Sequence, residues 1–303
     1  MEQVTERNIY DFIARGGEMG ERIRNFDWES TPLGRRESWS ESLRSMVNIM
    51  LANRLPMLIW WGNEYIQLYN DAYIPVPGLK HPKKSLGVPG YECWSEIWGV
   101  LKPLVDMPFN GGPPTWMDDI LLIVHRNGFD EETHFFIAYS PIPDETSDSG
   151  IGGVLATVNE ITEQVLSNRT IETLRHLSAK SAGAQTENEV YEKVCLALRR
   201  NDKDFTFACL YKVSQDGKFG QLVSSTENER VSYGLPLNFK IDPNDPDPAI
   251  SNISKAIVEN STLLSDAPEG DLPGGAWETA PHQIIFVPVK HSNKKFAHAI
   301  LYA

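Results

Sequence analysis

Cysteine and long apolar runs are scarce in this sequence, and their scarcity excludes several classes of protein. The 303 residues include three cysteines, Cys93, Cys195 and Cys209, and no two of them form a C-x-x-C pair. Neither a disulfide framework nor a zinc site is therefore expected, and reduced thiols indicate a cytoplasmic location. No stretch approaches the roughly 20 apolar residues that a membrane helix requires, and the N-terminus lacks a signal-peptide pattern.

Basic charge is scarce as well, because 28 Lys and Arg residues face 41 Asp and Glu residues, for a formal net charge of −13. A nucleic-acid partner requires clustered basic side chains, and an anionic membrane attracts them, so we expect neither partner. The hydrophobic fraction of 41% is sufficient for real cores. The length fits about two domains.

Sequence signatures of catalysis are missing too. The chain contains no G-x-S-x-G, H-E-x-x-H or P-loop sequence, which are the patterns of common hydrolases and nucleotide-binding enzymes. Asp118 and Asp119 are adjacent on a predicted strand, so they point to opposite faces and cannot converge on one ion. The acidic run 130–132 falls in a predicted solvated turn. We therefore expect no catalytic residues, no metal site and no enzymatic activity in this fragment.

Residues 38–158 alternate between helical and strand patterns. Ser38 and Glu41 have the spacing of a capping box, which predicts the start of a helix. Apolar and β-branched residues then predict strands at 56–62, 64–70, 115–126, 133–142 and 150–158, with a further helix around 93–107. A helix, two strands, small helices and three strands indicate an α+β domain with an antiparallel sheet. Residues 1–37 are predicted to be an N-terminal helix and loop extension.

The last of these strands leads directly into a linker helix predicted at 159–182, whose apolar residues do not hold a clean heptad, so a coiled coil stays open. A second domain at 183–303 starts with another capping box, Thr186 and Glu189. Its strands are predicted at 204–214, 219–226, 283–290 and 295–303, with a helix at 249–259. The expected fold class is α+β, with two domains, each a central antiparallel sheet flanked by helices, joined by a helical linker. Because the chain stops inside a strand, the second domain is expected to be incomplete at its C-terminus.

Residues 16–166 resemble a PAS domain at the head of multidomain sensor histidine kinases. The resemblance lies in the opening run from GGEMGERIRNFDW to LIWWGNEYIQLYNDAY, then in SLGVPGYECWSEIWGVL, RNGFDEETHFFIAYSPI and GGVLATVNEITEQV. Asn159, Glu160, Ile161 and Thr162 are similar, in looser form, to the Asp-Ile-Thr ending at which the final PAS strand passes into an output helix. Residues 170–303 look like a GAF domain, on the FACLYKV, DGK and FGQLVSS hairpin and the IIFVPVK and FAHAILYA strands.

The resemblance implies a sensory, signal-input fragment without enzymatic activity of its own. It would regulate a C-terminal output module, a histidine kinase, through ligand-dependent or dimer-dependent movement of the linker helix. The implied partners are a second copy of the chain, kinase-type output domains and a small-molecule ligand. A constitutive dimerisation or interaction scaffold without a small ligand is the alternative hypothesis, and a small-molecule enzyme is a more distant one.

A PAS fold holds its ligand between sheet and small helices, so strand parity selects the candidate pocket residues. They are Trp60, Ile66, Leu68, Leu122, Phe135, Ile137 and Tyr139, and Trp98 from the predicted helix would close the pocket. The same residues could instead form a solid core, and this alternative stays open.

The cofactor is unknown, because no haem, flavin-adduct or bilin motif is recognised. Cys93 has the wrong neighbours for a flavin adduct, and 91–107 contains no axial histidine. We expect His125 and His134 at the surface. The run 293–296 mimics the start of a cyclic-nucleotide signature, but the Asp–Glu that should follow is missing, so it predicts a hairpin turn.

Overall fold

The computed structural model describes residues 16–226, 236–267, 272–277, 279–290, 297 and 299–302. The chain divides into two compact units, residues 1–165 and 166–303. Each unit contains one antiparallel sheet with helices against it, which confirms the predicted α+β fold class.

The first unit contains a five-stranded sheet in the order β2-β1-β5-β4-β3, with every neighbouring pair antiparallel. Its strands are β1 (Met57–Trp61), β2 (Ile66–Tyr69), β3 (Thr115–His125), β4 (Asp130–Pro143) and β5 (Ile151–Glu160). Its helices are α1 (Glu18–Asn25), α2 (Glu41–Ala52), α3 (Gly90–Cys93) and α4 (Trp98–Phe109). Strand β3 ends one residue before its predicted end, whereas β4 is longer than predicted, and β3 contains a bulge between Met117 and Ile120.

Local side chains explain where these elements begin and turn. Helix α2 starts at Glu41, and its cap is Ser40, whose hydroxyl accepts a hydrogen bond from the Leu43 amide at 3.1 Å. The predicted capping box at Ser38 is therefore wrong, since Ser38 ends a short 3-10 turn instead. The connection from β1 to β2 comprises residues 62–65, and its backbone has positive φ at Gly62 and Tyr65.

The second unit contains a six-stranded sheet in the order β8-β7-β6-β11-β10-β9. Its strands are β6 (Cys209–Val213), β7 (Phe219–Ser225), β8 (Asn238–Lys240), β9 (Leu263–Asp266), β10 (Gln283–Val289) and β11 (Ala299–Tyr302). Its helices are α6 (Glu187–Leu198) and α7 (Pro248–Glu259). The sequence patterns missed β8 and β9, because both are short edge strands in polar, proline-rich surroundings.

Helix capping in the second unit follows the sequence prediction. The Thr186 hydroxyl accepts from the Glu189 amide, while the Glu189 carboxylate accepts from the Gln185 amide at 2.8 Å. This exchange satisfies two amides that have no partner inside the helix. The predicted start of α6 is therefore confirmed.

Helix α5 (Thr162–Ser181) follows β5 after the single residue Ile161. The first residues of the predicted linker helix belong to the strand, since Asn159 and Glu160 still pair with Phe136 and Phe135 of β4. Within the described ranges, no helix combines the length and hydropathy needed to cross a lipid bilayer.

Candidate functional site

The first unit encloses a small cavity between its sheet and the segments that cover one sheet face. The cavity has a volume of about 30 Å³. Its walls are apolar or aromatic throughout, and they are formed by Leu58, Trp60, Tyr73, Val76, Trp94, Ile97, Leu101, Leu122, Val124, Phe135, Ile137, Tyr139, Ala156 and Val158.

The structure brings together most of the residues chosen by strand parity. Trp60, Leu122, Phe135, Ile137 and Tyr139 all line the cavity. A role of these five residues in binding a ligand stays a prediction. The pairing of β4 with β5 places Tyr139 opposite Ala156 and Ile137 opposite Val158, so one face of both strands forms the wall.

Three of the chosen residues lie elsewhere. Ile66 and Leu68 pair with Trp61 and Ile59, the chain neighbours of Trp60, so their side chains point to the opposite sheet face. The parity assignment in β2 was therefore shifted by one residue, and Gln67 is the residue opposite Trp60. Trp98 is not a lining residue, but its ring meets the Trp60 ring edge-on at a centroid distance of 5.6 Å.

Sequence reasoning missed the wall that does not come from the sheet. Tyr73 and Val76 belong to the loop after β2, and Trp94, Ile97 and Leu101 belong to the segment from α3 to α4. Strand parity cannot select such residues, because their direction depends on how the covering segment packs. Three further lining residues follow the alternation of their strands. Leu58 is two residues before Trp60 in β1, and Ala156 and Val158 are two residues apart in β5.

A buried amide holds two aromatic walls of the cavity in place. The indole nitrogens of Trp60 and Trp94 donate to the Gln67 side-chain oxygen at 3.0 and 2.7 Å. The Gln67 amide nitrogen donates to the Ser85 carbonyl at 2.9 Å. Gln67 is almost fully buried, and burying an amide is tolerated when its hydrogen bonds are made.

The volume of the cavity limits what it can hold. A water molecule needs about 10 to 15 Å³ measured in this way, whereas pockets for drug-sized ligands have about 300 to 1,000 Å³. At about 30 Å³ the cavity has room for two water-sized groups. The core is therefore close to the solid packing that the scaffold hypothesis requires.

The joint between β5 and α5 is held by a partly buried ion pair. Arg126, at the end of β3, contacts both carboxylate oxygens of Glu160 at 2.7 Å, and its Nε donates to Glu131 at 3.2 Å. The Thr162 hydroxyl also donates to Glu160, at 3.0 Å. Burial pushes the pKa of Glu160 up, but the hydrogen bonds and the charge of Arg126, together with the hydrogen bond from Thr162, outweigh it, so the pKa lies below its usual value.

The same guanidinium reaches the cavity wall. One terminal nitrogen of Arg126 lies 3.5 and 3.4 Å from the backbone carbonyls of Pro75 and Val76. Val76 lines the cavity, as does Tyr73 in the same loop. Arg126 thus contacts both the covering loop and the strand-to-helix joint through one planar guanidinium group.

His134 of β4, the strand next to β5, binds the joint through its backbone. Its amide donates to the Thr162 hydroxyl at 2.9 Å, and its carbonyl accepts from the Ile161 amide at 2.8 Å. Its ring nitrogens lie 2.6 Å from an Asp119 oxygen and 3.0 Å from a Glu132 oxygen. His134 is buried, so the expected surface position is wrong for it, although His125 is exposed as predicted.

The bulge in β3 explains why the histidine prediction failed. An extra residue between Met117 and Ile120 lets Asp119 reach the His134 ring, which a regular strand would not allow. Within the part of the chain that the structure describes, no group of three or more His, Cys, Asp or Glu side chains is arranged so that it could hold a metal ion.

The cysteines are not placed for chemistry. Cys93, Cys195 and Cys209 are buried, and no disulfide joins any two of them. Burial raises the pKa of Cys93 to about 11, and that of Cys195 to about 11 as well. A buried thiol with a raised pKa is a poor nucleophile. The run 293–296 lies outside the described residues.

Comparisons with known proteins give partial likenesses to sensor domains. No family model matches the sequence, and no curated protein matches it. Among solved structures, the PAS domain of Bordetella pertussis BvgS is 19% identical with a TM-score of 0.33, over 45% of this chain and 97% of that one. A sensory box sensor histidine kinase from Vibrio cholerae is 19% identical with a TM-score of 0.29, over 40% and 90%.

The GAF domain of an Acinetobacter phosphoenolpyruvate-protein phosphotransferase is 10% identical with a TM-score of 0.31, over 44% of this chain and 74% of that one. These solved structures are of the two kinds that the sequence resembles. At such TM-scores and identities the likeness carries no argument about ligand, activity or partner.

Proposed function

We propose that this chain is a sensory, signal-input region, with a PAS-like domain at 38–158, a linker helix at 159–182 and a GAF-like domain at 183–303. It would regulate a histidine kinase output module in the cytoplasm through movement of helix α5. The extension before residue 38 packs on the first domain through Met19 and Ile23, which are fully buried.

The observation that carries this proposal is the dual contact of Arg126. Its guanidinium binds Glu160 at the joint with two 2.7 Å contacts and lies within 3.5 Å of the Pro75 and Val76 carbonyls. A shift of the covering loop would therefore change the position of Arg126, and with it the hold on Glu160 and Thr162. Asn159, Glu160, Ile161 and Thr162 are the proposed transmission residues.

A signal can move this joint only if it contacts two states of the domain differently. Loop contacts to Arg126 are long hydrogen bonds, and they are weaker than the bidentate pair with Glu160. The loop contacts are thus the ones that a small displacement would break first. In the structure, Arg126 makes its contacts with the loop and with Glu160 together, and we assign this arrangement to the state in which the start of α5 is fixed.

The test is Arg126→Gln, with Arg35→Gln as the matched control, since Arg35 pairs with Glu29 at the exposed surface. We expect amide hydrogen exchange at residues 159–164 to rise at least tenfold in the Arg126 variant, because the joint loses its clamp. NMR signals of residues 73–76 should shift in the same variant. The control should change neither.

The exchange measurement and the NMR measurement can each contradict the proposal. Faster exchange at the joint without any change at residues 73–76 would show that the two sites are uncoupled. Unchanged exchange at the joint would show that Arg126 does not hold α5.

A specific surface favours the second candidate function, a constitutive dimerisation scaffold. The outer sheet face, defined as Trp116, Leu121, Ile123 and Phe136, is apolar, and Trp116 is 65% exposed. These residues share the face opposite to the cavity, because Trp116 pairs with Ala138, Leu121 with His134 and Ile123 with Glu132. Together with the small cavity, this face would suit a protein that acts through association alone.

A further inference from the structure

Helix α5 has little apolar packing to hold it in place. All of its residues are described, and Thr173 alone among them is buried. Ile171 and Leu174, two large apolar side chains near its middle, are 55% and 57% exposed. Most helices in proteins owe their stability to the burial of an apolar face. The position of α5 in the second unit therefore depends on its polar contacts.

These contacts come from residues 199–208 between α6 and β6, which we name the α6–β6 loop. The Asn201 side-chain nitrogen donates to the Thr173 hydroxyl at 2.9 Å, and both side chains are buried. The Asp204 carboxylate accepts from the same nitrogen at 2.7 Å and pairs with Arg169, also at 2.7 Å. Asn201 and Asp204 thus bind two successive turns of α5.

The other side of the α6–β6 loop meets a turn at residues 274–277, which a backbone hydrogen bond of 2.9 Å closes. The Trp277 indole nitrogen donates to the Lys203 carbonyl at 2.8 Å. The amide of the preceding residue donates to the Asp202 carbonyl at 3.2 Å. At Gly275, where φ is +59°, a β-carbon would lie 2.3 Å from the Asp202 carbonyl oxygen. The turn therefore lies against the loop backbone at a distance that only glycine allows.

The turn and α5 bind the same short stretch of chain. Asp202 and Lys203, whose carbonyls the turn binds, stand between Asn201 and Asp204, whose side chains bind α5. The backbone has only two soft torsions per residue. A displacement at positions 202 and 203 therefore changes the positions of the two flanking side chains as well.

The 274–277 turn is also connected with the core of the second unit. Leu272, two residues before the turn, is 7% exposed and packs in the cluster that contains Phe207 and Ile257. Phe207 belongs to the α6–β6 loop, and Ile257 belongs to α7. A rearrangement of this core would therefore reach both the turn and the loop.

We propose that the α6–β6 loop is a second regulatory connection to α5, through which a displacement of the 274–277 turn changes how firmly the helix is held. The inference deepens the proposed function and rests on it, because it adds an input from the second unit to the input through Arg126. With the turn in place, Trp277 fixes the loop backbone, and Asn201 and Asp204 hold α5. With the turn displaced, the loop loses its support and α5 is held less firmly. The two states differ in these contacts, as a transmitted change requires.

The test is Trp277→Phe in the full chain, because phenylalanine keeps an aromatic ring and removes the indole donor. Tyr191→Phe is the matched control, since it also removes one aromatic donor of the second unit, the hydroxyl that binds Glu187 at 2.9 Å. Hydrogen exchange measures the protection factors of the α5 amides at 170–177. We expect them to fall about threefold to tenfold in Trp277→Phe, in line with the loss of one hydrogen bond. The control should leave them unchanged.

A second substitution shows whether the effect passes through the loop. Asp204→Ala removes the acceptor of Arg169 and should lower the same protection factors about tenfold, because the lost contact is charged. Adding Trp277→Phe to Asp204→Ala should lower them by a smaller factor than Trp277→Phe does alone, since residues in one network are not additive. Factors that simply multiply would show that Trp277 and Asp204 act independently, and the proposal would then be wrong.

Two other results would overturn the proposal. Unchanged protection of α5 in Trp277→Phe would show that the turn does not act on the helix. An equal fall at Tyr211, in the interior strand β6, would show a general destabilisation of the second unit instead of a transmitted effect. Both results leave the Arg126 experiment at residues 159–164 untouched. Conversely, unchanged exchange at the joint in Arg126→Gln would remove the proposed sensory mechanism while the α6–β6 loop still holds α5.

Discussion

At the scale of single residues, buried polar side chains hold together segments of the first unit that are far apart in the sequence. Gln67 joins two tryptophans to the Ser85 carbonyl, and His134 joins β3 to the start of α5. Asn70, in the loop after β2, holds the end of α2 against the start of β1. Each of these groups is tolerated inside because its donors and acceptors are used.

Asn70 illustrates how much can depend on one side chain. Its oxygen accepts from the Met57 and Tyr73 amides at 3.1 and 3.2 Å. Its nitrogen donates to the carbonyls of Met50, Asn53 and Leu55 at 3.1, 3.1 and 2.8 Å. No sequence pattern indicated this role.

We expect Asn70→Ala to lower the free energy of unfolding by about 3 kcal/mol, because several buried backbone groups lose their partner at once. Asn63→Ala is the control, with an effect within about 0.5 kcal/mol, since Asn63 is exposed in the connection between β1 and β2. Urea denaturation followed by tryptophan fluorescence measures both, since every tryptophan except Trp277 belongs to residues 1–165. Equal losses in the two variants would contradict the role assigned to Asn70.

At the scale of elements, the decisive feature is the short connection from β5 to α5. Only Ile161 separates β5 from α5. A displacement of the end of β5 therefore has to displace the start of α5 as well. Three elements act on this connection: β3 through Arg126, β4 through His134, and the helix itself through Thr162.

Acid should weaken this connection. The pKa of Glu160 is lowered in the folded chain, so its ion pair contributes stability above the unfolded pKa of about 4.3, and that contribution is lost as pH falls through the folded pKa. We expect the protection factor of the Ile161 amide, which corrects exchange for its intrinsic pH dependence, to fall in the unmodified chain as the pH drops below the unfolded pKa of about 4.3 and through the folded pKa of Glu160. Glu160→Gln should show a low protection factor already at pH 7, with little further acid dependence.

Glu64→Gln serves as the control for this experiment, since Glu64 is exposed in the β1–β2 turn. It should keep the acid response of the unmodified chain. An identical acid response in the Glu160 variant would show that another carboxylate governs the joint.

At the scale of the whole molecule, the question is whether the chain acts alone or with a second copy. Association through the outer sheet face would bury apolar side chains that are now partly exposed, and tryptophan is a frequent centre of such interfaces. The net charge of −13 opposes association, so the apolar contribution has to outweigh repulsion.

We expect sedimentation equilibrium to show a dimer whose dissociation constant rises at least tenfold in Trp116→Ser and in Leu121→Ser. Leu79→Ser is the matched control, because Leu79 is 76% exposed and lies outside the outer sheet face. A monomer at all concentrations, or equal effects of all three substitutions, would exclude this face as the dimer interface.

The sequence by itself determined the α+β class, the order of helices and strands apart from the edge strands β8 and β9, and five of the residues around the cavity. It could do so because alternation along a strand and 3.6-residue spacing along a helix are local properties of the chain. The capping of α6 by Thr186 was predictable for the same reason, since its partners lie within three residues.

Tertiary structure alone decided the rest of the site. The register of β2 put Gln67, not Ile66 or Leu68, beside Trp60, and the β3 bulge buried His134 against Asp119. The contacts of Arg126 join residues 34 and 50 positions apart along the chain. Register, bulges and such long-range contacts depend on how separate segments pack, and local patterns carry no information about that packing.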